Sequence, residues 1–381
     1  MTPEPNPPKT LIVDLSNLYG GSSSRVLSLL TRFPAGTAAL AGLERGAVTR
    51  EALRLGLPVH VLGSRKTDPR ILGRLVRLIR AEGYQILDSQ NIQSKVFASL
   101  AASLTRVALV STLNSWYANE HGKASLKGKI YTAVELATNW NLSLYIAVSE
   151  RDRQNLLRAG VRADDIALIY NAVDAAQPPP ADRGFLRREF NLPADSTVCL
   201  AVGRLVRVKG YDVLVEAIKQ AASHMSNIVC VIVGEGEAHE ELTRQIHEAG
   251  LDGRVILAGY LPRETIASAL ASCDVFAMPS RYEGTPIAVL EAAAMACPIL
   301  ASDAGGIPEL VANEEHALLV QPEDPSALAQ GLIRLGADRA FARRLGENAQ
   351  RRVREKFSLE AQVAATMDVY RKAWAKFNRE R

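Results

Sequence analysis

Residues 279–309 read PSRYEGTPIAVLEAAAMACPILASDAGGIPE, and the interpretation of the whole chain starts from their pattern. Thr285 is a suitable helix N-cap, and Pro286 suits the first helical position because proline has no N–H to leave unpaired there. The predicted helix ends before Pro298, and a short buried strand follows at Ile299–Ala301. A Gly-rich turn then opens the next helix. Helix, strand, turn and helix in this order predict one repeat of a parallel α/β sheet.

Two glutamates in this stretch, Glu283 and Glu291, stand on either side of the predicted helix start. The backbone N–H groups just after Gly284 have no intrahelical partners and carry the positive end of the helix dipole, which favours phosphate. Glu291 lies about one and a half turns into the helix, where its carboxylate can accept two hydrogen bonds from a vicinal diol such as ribose. Glu283 lies in the loop ahead, where a sugar attached to that phosphate would project.

The run E-G-T-P-I-A-V-L-E from Glu283 to Glu291 resembles the paired-glutamate motif of the retaining GT-B glycosyltransferases, glycosyltransferase family 4, also called the group 1 glycosyltransferases. The flanking P-S-R-Y and A-G-G-I-P-E resemble that family too. The resemblance implies an α/β GT-B fold, in which two Rossmann-like domains with parallel sheets face a central cleft. It also implies transfer of a sugar from a nucleotide diphosphate sugar with retention of anomeric configuration. The bland alternative is an ordinary βα unit with two solvated glutamates.

Composition allows two domains, because 381 residues exceed the usual size of one. Residues 1–174 carry 21 Lys and Arg against 14 Asp and Glu, whereas residues 175–381 carry 24 against 27. The basic first half is therefore the part expected to meet an anionic surface or acceptor. We find no secretory hydrophobic segment and no apolar run of transmembrane length, so we expect a cytoplasmic protein, peripheral at most at the inner face of the membrane.

Cysteine spacing gives no sign of zinc or redox chemistry, because no Cys-x-x-Cys pair occurs. We expect free thiols buried in a reducing cytosol. We also expect no metal and no cofactor, with a UDP- or GDP-sugar acting as substrate. The four cysteines are Cys199, Cys230, Cys273 and Cys297.

Strand-sized apolar segments alternate with helical ones along both halves of the chain, which predicts two parallel sheets buried on both faces. In the first half they lie at Thr10–Leu15, Val59–Leu62, Ile86–Leu87, Val107–Ser111 and Tyr145–Val148. In the second half they lie at Val198–Val202, Ile228–Val233, Val255–Leu257, Val275–Met278 and Ile299–Ala301.

Domain limits follow from this alternation together with the resemblance. We expect residues 1–174 to form an N-terminal Rossmann-like domain, which the resemblance implies is acceptor-binding, and the Pro-rich residues 175–190 to form a linker. We expect residues 191–357 to form a C-terminal Rossmann-like domain, which the resemblance implies binds the nucleotide sugar. The resemblance implies that the last helix, within 358–381, crosses back to the N-terminal domain.

Two cations, Arg204 and Lys209, follow the first strand of the second half in the run G-R-L-V-R-V-K-G. Fixed cations there can stabilise a departing diphosphate without a metal. The alternative is a pair of exposed cations near a turn. On the resemblance, the catalytic residues are Glu283, Arg204 and Lys209. The resemblance further implies that the donor is bound by Gly21, Arg204, Lys209, Gly284, Thr285, Pro286, Ile287 and Glu291.

The N-terminal half offers weaker signals. Gly20-Gly21 lies between the first strand and a helix predicted to start near Arg25, and the resemblance places such a loop against the donor diphosphate; a tight turn is the alternative. Asn114 follows a strand end, at a place where many family members carry His. Trp116 and His121 are further candidates on the acceptor side, with a structural role for Trp116 left open.

A basic amphipathic segment, Pro69–Arg80, has Arg70, Arg74 and Arg77 on one predicted helical face. Such a helix can lie on anionic lipid, and acceptors in the resembled family are often lipid-linked. A surface helix that packs its apolar side on the sheet is the favoured alternative. The expected partners are thus the donor, a glycan or lipid-linked acceptor and possible peripheral contact of the basic domain with a membrane, without nucleic acid.

Rival functions have less support. Gly234-Glu-Gly-Glu-Ala-His lacks the third glycine of a dinucleotide fingerprint, since His239 takes its place, and no P-loop motif occurs. A nucleotide-sugar epimerase or hydrolase on the same scaffold, and a non-catalytic nucleotide-sugar-binding subunit, remain alternatives to a transferase of cell-surface polysaccharide or glycolipid synthesis.

Overall fold

The computed structural model describes residues 7–120, 125–175 and 180–380. The chain divides into two compact units. The N-terminal unit comprises Met1–Asn171 and Leu359–Arg381, and the C-terminal unit comprises Ala172–Ser358. The last helix therefore belongs to the first unit, although the whole second unit separates them in sequence.

Each unit is built on a parallel sheet. The N-terminal sheet has the order β3-β2-β1-β4-β5-β6-β7, and the C-terminal sheet has the order β10-β9-β8-β11-β12-β13. The strands are β1 (Thr10–Asp14), β2 (Ala38–Leu43), β3 (Val59–Gly63), β4 (Ile86–Ser89), β5 (Ala108–Leu113), β6 (Leu142–Ala147), β7 (Ile166–Leu168), β8 (Thr197–Val202), β9 (Ile228–Val233), β10 (Val255–Gly259), β11 (Val275–Met278), β12 (Ile299–Ser302) and β13 (Leu318–Val320).

Helices connect successive strands, as parallel pairing requires. They are α1 (Gly21–Leu30), α2 (Ala47–Arg54), α3 (Arg70–Glu82), α4 (Ile92–Leu104), α5 (Tyr117–Glu120), α6 (Leu126–Ala137), α7 (Glu150–Arg158), α8 (Phe185–Glu189), α9 (Tyr211–Ala222), α10 (His239–Glu248), α11 (Arg263–Ser272), α12 (Ile287–Ala294), α13 (Ile307–Leu310), α14 (Pro325–Ala337), α15 (Arg339–Lys356) and α16 (Leu359–Arg379). Short 3-10 helices lie at Asn139–Asn141, Ala163–Asp165 and Arg207–Lys209.

Two strands of the N-terminal sheet were not among the predicted segments. The sequence of β2 is AALAGL, which lacks the β-branched and aromatic residues that mark strands, yet five of its six residues are buried. The other, β7, is only three residues long. In both cases the sheet, rather than local propensity, fixes the conformation.

Two helix starts also differ from prediction. Helix α1 begins at Gly21, with an extended Gly20 as its N-cap, and not near Arg25. Helix α12 begins at Ile287 with Pro286 as its N-cap, one residue later than a start capped by Thr285 would give. Thr285 is buried in the loop instead.

Helix α16 completes the hydrophobic core of the N-terminal unit. Its Val369, Tyr370 and Ala373 pack against one face of the sheet, next to Ile86 and Val110. The opposite face packs against α3 and α4. The sheet is therefore covered on both faces, as the apolar strands require.

The predicted linker, residues 175–190, is only partly a connection. Residues 176–179 lie outside the described residues. Within 185–189, helix α8 carries a fully buried Leu186, and Arg187 donates to the carbonyl of Ser196 and to Asp274. This segment is thus packed into the C-terminal unit, which begins at Ala172.

Strand order reverses once in each sheet, between β1 and β4 in the first and between β8 and β11 in the second. Such switch points leave a crevice at the carboxyl ends of the strands, where α/β proteins bind ligands. In the second sheet the residues that follow β8 and β11 are 203–210 and 279–286, the segments that the sequence singles out. No helix in the described part of the chain is long and apolar enough to cross a membrane.

Candidate active site

The loop after β8 is held against the end of β11 by close backbone contact. Gly210 has a φ of +67°, and a Cβ at this position would lie 2.1 Å from the carbonyl oxygen of Pro279. Only glycine therefore fits here without displacing the neighbouring loop. The backbone N–H of Arg281 also donates to the carbonyl of Val208. These contacts bring the two loops of the switch point together.

The side chains of these loops converge on Glu283. Lys209 Nζ donates to Glu283 Oε1 at 2.7 Å, and Ser280 Oγ donates to the same oxygen at 2.6 Å. Glu283 is only 9% exposed, and Lys209 is mostly covered. Because charge-assisted hydrogen bonds of this length are strong, the carboxylate is held in a defined position. Two of the predicted catalytic residues thus form one ion pair.

A second glycine turn, Gly305-Gly306, contacts the backbone of Glu283. Gly306 N–H donates to the carbonyl of Glu283, and Gly305 has a φ of +58°. A Cβ at Gly305 would lie 1.9 Å from that same carbonyl oxygen, so a larger residue would displace the backbone that carries Glu283. The A-G-G-I-P-E stretch therefore positions the carboxylate of Glu283, which the sequence predicts to be catalytic.

Arg281 fastens the same loops from the outside, a role the sequence did not reveal. Its guanidinium donates to both carboxylate oxygens of Asp212 and to Glu323. It also donates to the carbonyl of Arg207 at 2.7 Å. The bidentate geometry fixes the start of α9 to the loop after β11. In the sequence, Arg281 stands out only as part of the P-S-R-Y run. Its role could not be predicted, because its partner Asp212 is distant in sequence.

Arg204 and Glu283 both lie near the buried side chain of Tyr211. The Tyr211 hydroxyl is buried and makes no hydrogen bond to any described residue. Burial raises the pKa of Tyr211, the charge of Glu283 raises it further, and the charge of Arg204 lowers it. Both charges therefore act on one phenol. The hydroxyl would lie 2.8 Å from a Cβ placed at Gly203, the residue directly before Arg204. Tyr211 is the main site residue that sequence reasoning missed.

The segment from Gly284 to Ile287 is buried and leads into α12. Glu291 lies in the fifth position of that helix and is half-buried. Burial raises the pKa of Glu291, and the charge of Arg263 at the start of α11 lowers it. Its charged neighbour is therefore Arg263 rather than the pair formed by Lys209 and Glu283.

The predicted residues of the N-terminal unit are placed separately. Gly21 is the first residue of α1, and a Cβ there would meet no described atom within 4 Å. Asn114 follows β5 and donates to the carbonyl of Gln90 at 2.9 Å. Trp116 is buried, and its backbone N–H is bonded to Asp152. His121 lies outside the described residues.

Buried polar atoms without hydrogen bonds gather at the switch point of the N-terminal sheet. Both side-chain polar atoms of Gln90, one oxygen of Asp14 and the side-chain oxygen of Asn114 make none within the described parts of the chain. Such atoms are costly unless a ligand or water completes them. Gln90 was not predicted, since a lone amide after a strand carries no motif.

A titratable group lies below this region. Burial raises the pKa of Asp88 to about 6, although hydrogen bonds from Tyr370 and Thr112 and the charge of Arg25 lower it. Arg25 donates to Asn171, while its Nε and Nη2 make no hydrogen bond to the residues described. This fully buried cluster joins β4, α1 and α16.

Metal ligands are not gathered anywhere in the described ranges: no three His, Cys, Asp or Glu side chains there could hold an ion together.

Two Rossmann-like units, the second with cations and a buried carboxylate at its switch point, define a GT-B protein. Solved structures agree with this fold. The chain resembles HepE of Anabaena, solved in complex with UDP and glucose, with a TM-score of 0.85 and 23% identity over 95% of this chain and 98% of that one. The predicted GT-B fold class is confirmed.

Family models and relatives identify the protein further. The model "Glycosyltransferase Family 4" matches residues 20–177, and "Glycosyl transferases group 1" matches residues 182–352. An uncharacterized glycosyltransferase of Methanocaldococcus jannaschii is 26% identical over 71% of this chain and 72% of its own length. The UDP-Gal:alpha-D-GlcNAc-diphosphoundecaprenol alpha-1,3-galactosyltransferase of Escherichia coli is 27% identical over 80% and 79%.

This chain belongs to glycosyltransferase family 4, the group 1 glycosyltransferases, and it is a glycosyltransferase enzyme. The predicted family and enzyme class are thereby confirmed, and both alternatives, an epimerase or hydrolase and a non-catalytic subunit, lose their support.

Proposed function

We propose that this enzyme transfers a sugar from a nucleotide diphosphate sugar to a hydroxyl of a glycan or lipid-linked acceptor during synthesis of cell-surface polysaccharide or glycolipid. The observation that carries the proposal is the cluster of Lys209, Ser280 and Glu283 at the carboxyl ends of β8 and β11. The Escherichia coli relative, whose name gives it UDP-galactose and a diphosphoundecaprenol acceptor, supports this class of substrates.

The diphosphate of the donor would bind between Arg204, Lys209 and the backbone amides that follow Gly284. Lys209 is already oriented by Glu283, so its ammonium group can bridge the carboxylate and a phosphate oxygen without a large rearrangement. As the sugar departs, negative charge builds on the phosphate oxygens. Preorganised cations stabilise that charge, and no metal ion or cofactor is required.

Glu283 would contact the donor sugar. Its carboxylate is held by two donors and supported by the turn at Gly305, so it keeps its position while positive charge develops at the anomeric carbon. Retention follows if the acceptor hydroxyl attacks from the face that the phosphate leaves, with the departing phosphate oxygen taking the proton. Glu283 then serves electrostatics rather than nucleophilic attack.

Glu291 would accept hydrogen bonds from the ribose hydroxyls. The uridine or guanosine nucleotide would lie along α12, whose fifth residue is Glu291. Because the pKa of Glu291 is raised by burial, its ionised form is destabilised before the donor binds. Two hydroxyl donors would offset that cost, which couples ribose recognition to the charge state of this residue.

The acceptor would bind at the N-terminal switch point, where Gln90 and Asn114 present unpaired amide atoms. A sugar hydroxyl both donates and accepts, so it can satisfy both kinds of atom at once. Gly21, at the open start of α1, would approach the donor diphosphate.

The proposal includes peripheral contact of the enzyme with the cytoplasmic side of a membrane. The apolar side of α3 packs into the core through Ile71, Leu75 and Ile79, and the exposed positions of the helix carry arginines but no large apolar side chain. Contact would therefore be electrostatic. Vesicles of anionic lipid should bind the unmodified protein at low salt. They should not bind the variant that carries both Arg70→Glu and Arg77→Glu. Arg343→Glu, on α15, is the matched control; binding unaffected by the paired change would remove this part.

The deciding experiment incubates the enzyme with UDP-, GDP- and ADP-sugars. We expect slow release of nucleotide from one donor, loss of that release in Glu283→Ala, and its persistence in Arg207→Ala, whose side chain is exposed. Epimerised donor without nucleotide release, or binding without turnover, would overturn the proposal. The anomeric configuration of the product, read by NMR, tests retention.

A further inference from the structure

Two cysteines that are separated in sequence meet in the C-terminal unit. Cys273 caps the end of α11, and Cys297 lies in the turn between α12 and β12. Their sulfur atoms are 3.1 Å apart. Both thiols are reduced, and neither is used by the proposed transfer chemistry.

Access distinguishes this pair from the other two cysteines. Cys273 is partly exposed, whereas its neighbour Cys297 is 4% exposed. Cys199 and Cys230 are paired in register on β8 and β9 and are fully enclosed by the core. Cys273 is therefore the most accessible of the four cysteines, and Cys297 lies where a resolving thiol is needed.

We propose that Cys273 and Cys297 form an oxidation site, in which a peroxide converts the two thiols into a reversible intrachain disulfide. The Cys273 thiolate attacks one oxygen of the peroxide, the O–O bond breaks, and a sulfenic acid and water or an alcohol result. The Cys297 thiolate then attacks the sulfenic sulfur and displaces hydroxide, which leaves as water. Two thiols lose two electrons and two protons, and one peroxide is reduced.

Geometry limits how much the site must change. A disulfide needs sulfur atoms about 2.05 Å apart, so closure asks for an approach of roughly 1 Å. The closed ring would run from residue 273 to residue 297 and would contain both Glu283 and Glu291. Because the ends of this segment already touch, we expect the oxidised enzyme to keep its activity within about twofold while the ring restricts the unfolded chain.

Reactivity is slowed by the surroundings of Cys273. Burial raises the pKa of this thiol, and the neighbouring Cys297, Cys199 and Asp274 raise it further. Little thiolate is present at neutral pH, so we expect oxidation to be slow at pH 7 and to accelerate as the pH rises.

The test treats the purified full-length chain with hydrogen peroxide, quenches it by alkylation and maps its peptides. We expect a mass loss of about 2 Da, a peptide pair joining residues 273 and 297, and full reversal by dithiothreitol. The unfolding temperature should rise by several degrees. Cys273→Ser and Cys297→Ala should each abolish the linked pair, whereas Cys230→Ala should keep it.

Three results would overturn the inference. They are alkylation of both Cys273 and Cys297 after oxidation, a linked pair that contains Cys199 or Cys230, and a disulfide between two chains. None of these depends on the donor or acceptor, so the outcome is separate from that of the proposed transferase reaction.

Discussion

The two switch points of this molecule are built from the same kind of parallel sheet, but their polar side chains are hydrogen-bonded to different extents. At the carboxyl ends of β8 and β11, Glu283 is bonded to Lys209 and Ser280, and Arg281 fastens the loops. At the carboxyl ends of β1 and β4, one carboxylate oxygen of Asp14 and both side-chain polar atoms of Gln90 are buried and make no hydrogen bond to the residues described.

This difference separates two ways of preparing a site. The C-terminal one is preorganised, since its charges have partners and its glycines fix the backbone before a ligand arrives. The N-terminal one leaves its hydrogen-bonding capacity for whatever binds there. In the proposed function, the donor would bind at the first and the acceptor at the second.

The largest effect should come from Glu283→Gln and Lys209→Met. Each removes one charge of the preorganised pair, so we expect kcat/KM to fall on the order of 1,000-fold, about 4 kcal/mol of transition-state stabilisation. Nucleotide release by the variants, compared with Arg207→Ala, measures this. A loss below tenfold in both would show that the pair is structural.

Gly305→Ala tests whether backbone approach positions Glu283. The added Cβ would meet the Glu283 carbonyl at 1.9 Å in a left-handed backbone, so we expect a loss of about 3 kcal/mol in the free energy of unfolding, and reduced activity. Gly250→Ala is the control, because Gly250 has a φ of +66° but no described neighbour within 4 Å. It should cost about 1 kcal/mol. Equal losses in urea denaturation would assign the whole effect to strain.

The pH dependence of the free energy of unfolding tests the role of Asp88, which is buried in the N-terminal unit. Its folded pKa of about 6 exceeds the ordinary 3.8, so between these values the folded state holds a proton that the unfolded state has lost. Its contribution to stability is therefore present at low pH and falls by about 3 kcal/mol as the pH rises to 6. Asp88→Asn should remove this fall, as measured by urea unfolding from pH 4 to 7.

Tyr370→Phe is the matched variant for this measurement. The Tyr370 hydroxyl donates to Asp88 and lowers its pKa, so its removal should shift the fall toward higher pH. An Asp88→Asn profile identical to that of the unmodified protein would contradict the assignment.

The smallest effect on stability is expected for Gln90→Leu. This change removes buried atoms that lack hydrogen bonds to described residues, and it also removes an amide that lowers the pKa of Asp88. At pH 4, where Asp88 is protonated, the free energy of unfolding should therefore stay constant or rise by about 1 kcal/mol, while the KM for acceptor rises. Asn91→Leu is the contrast, because Asn91 bonds to Asp14 and Ser94 and should cost about 2 kcal/mol. A destabilised Gln90→Leu would show that this amide is a structural part.

Sequence reasoning reached the C-terminal site because its parts lie in short motifs. Glu283, Lys209 and the Gly305 turn each follow a strand end within a few residues, Glu291 lies in the helix that comes next, and strand alternation places these segments at one edge of the sheet. Tyr211 escaped notice because an aromatic residue at a helix start is normally read as core.

The N-terminal side was less readable for a different physical reason. Gln90 and Asp88 lie on or after a short strand, and their chemistry depends on burial and on partners such as Tyr370, which is 282 residues away. The alanine-rich β2 was missed for the same reason, since contacts distant in sequence fix its conformation. Local patterns carry no record of such contacts.

Helix α16 has a consequence for how the protein is made. The face of the first sheet that it covers stays open while residues 172–358 are translated, which takes roughly 10 to 40 s at ordinary elongation rates. A nascent chain on the ribosome would expose Ile86, Ala108 and Val110 to water throughout that interval. The enzyme's first domain is thus the last to finish folding, and chaperones that hold apolar surfaces have their longest opportunity there.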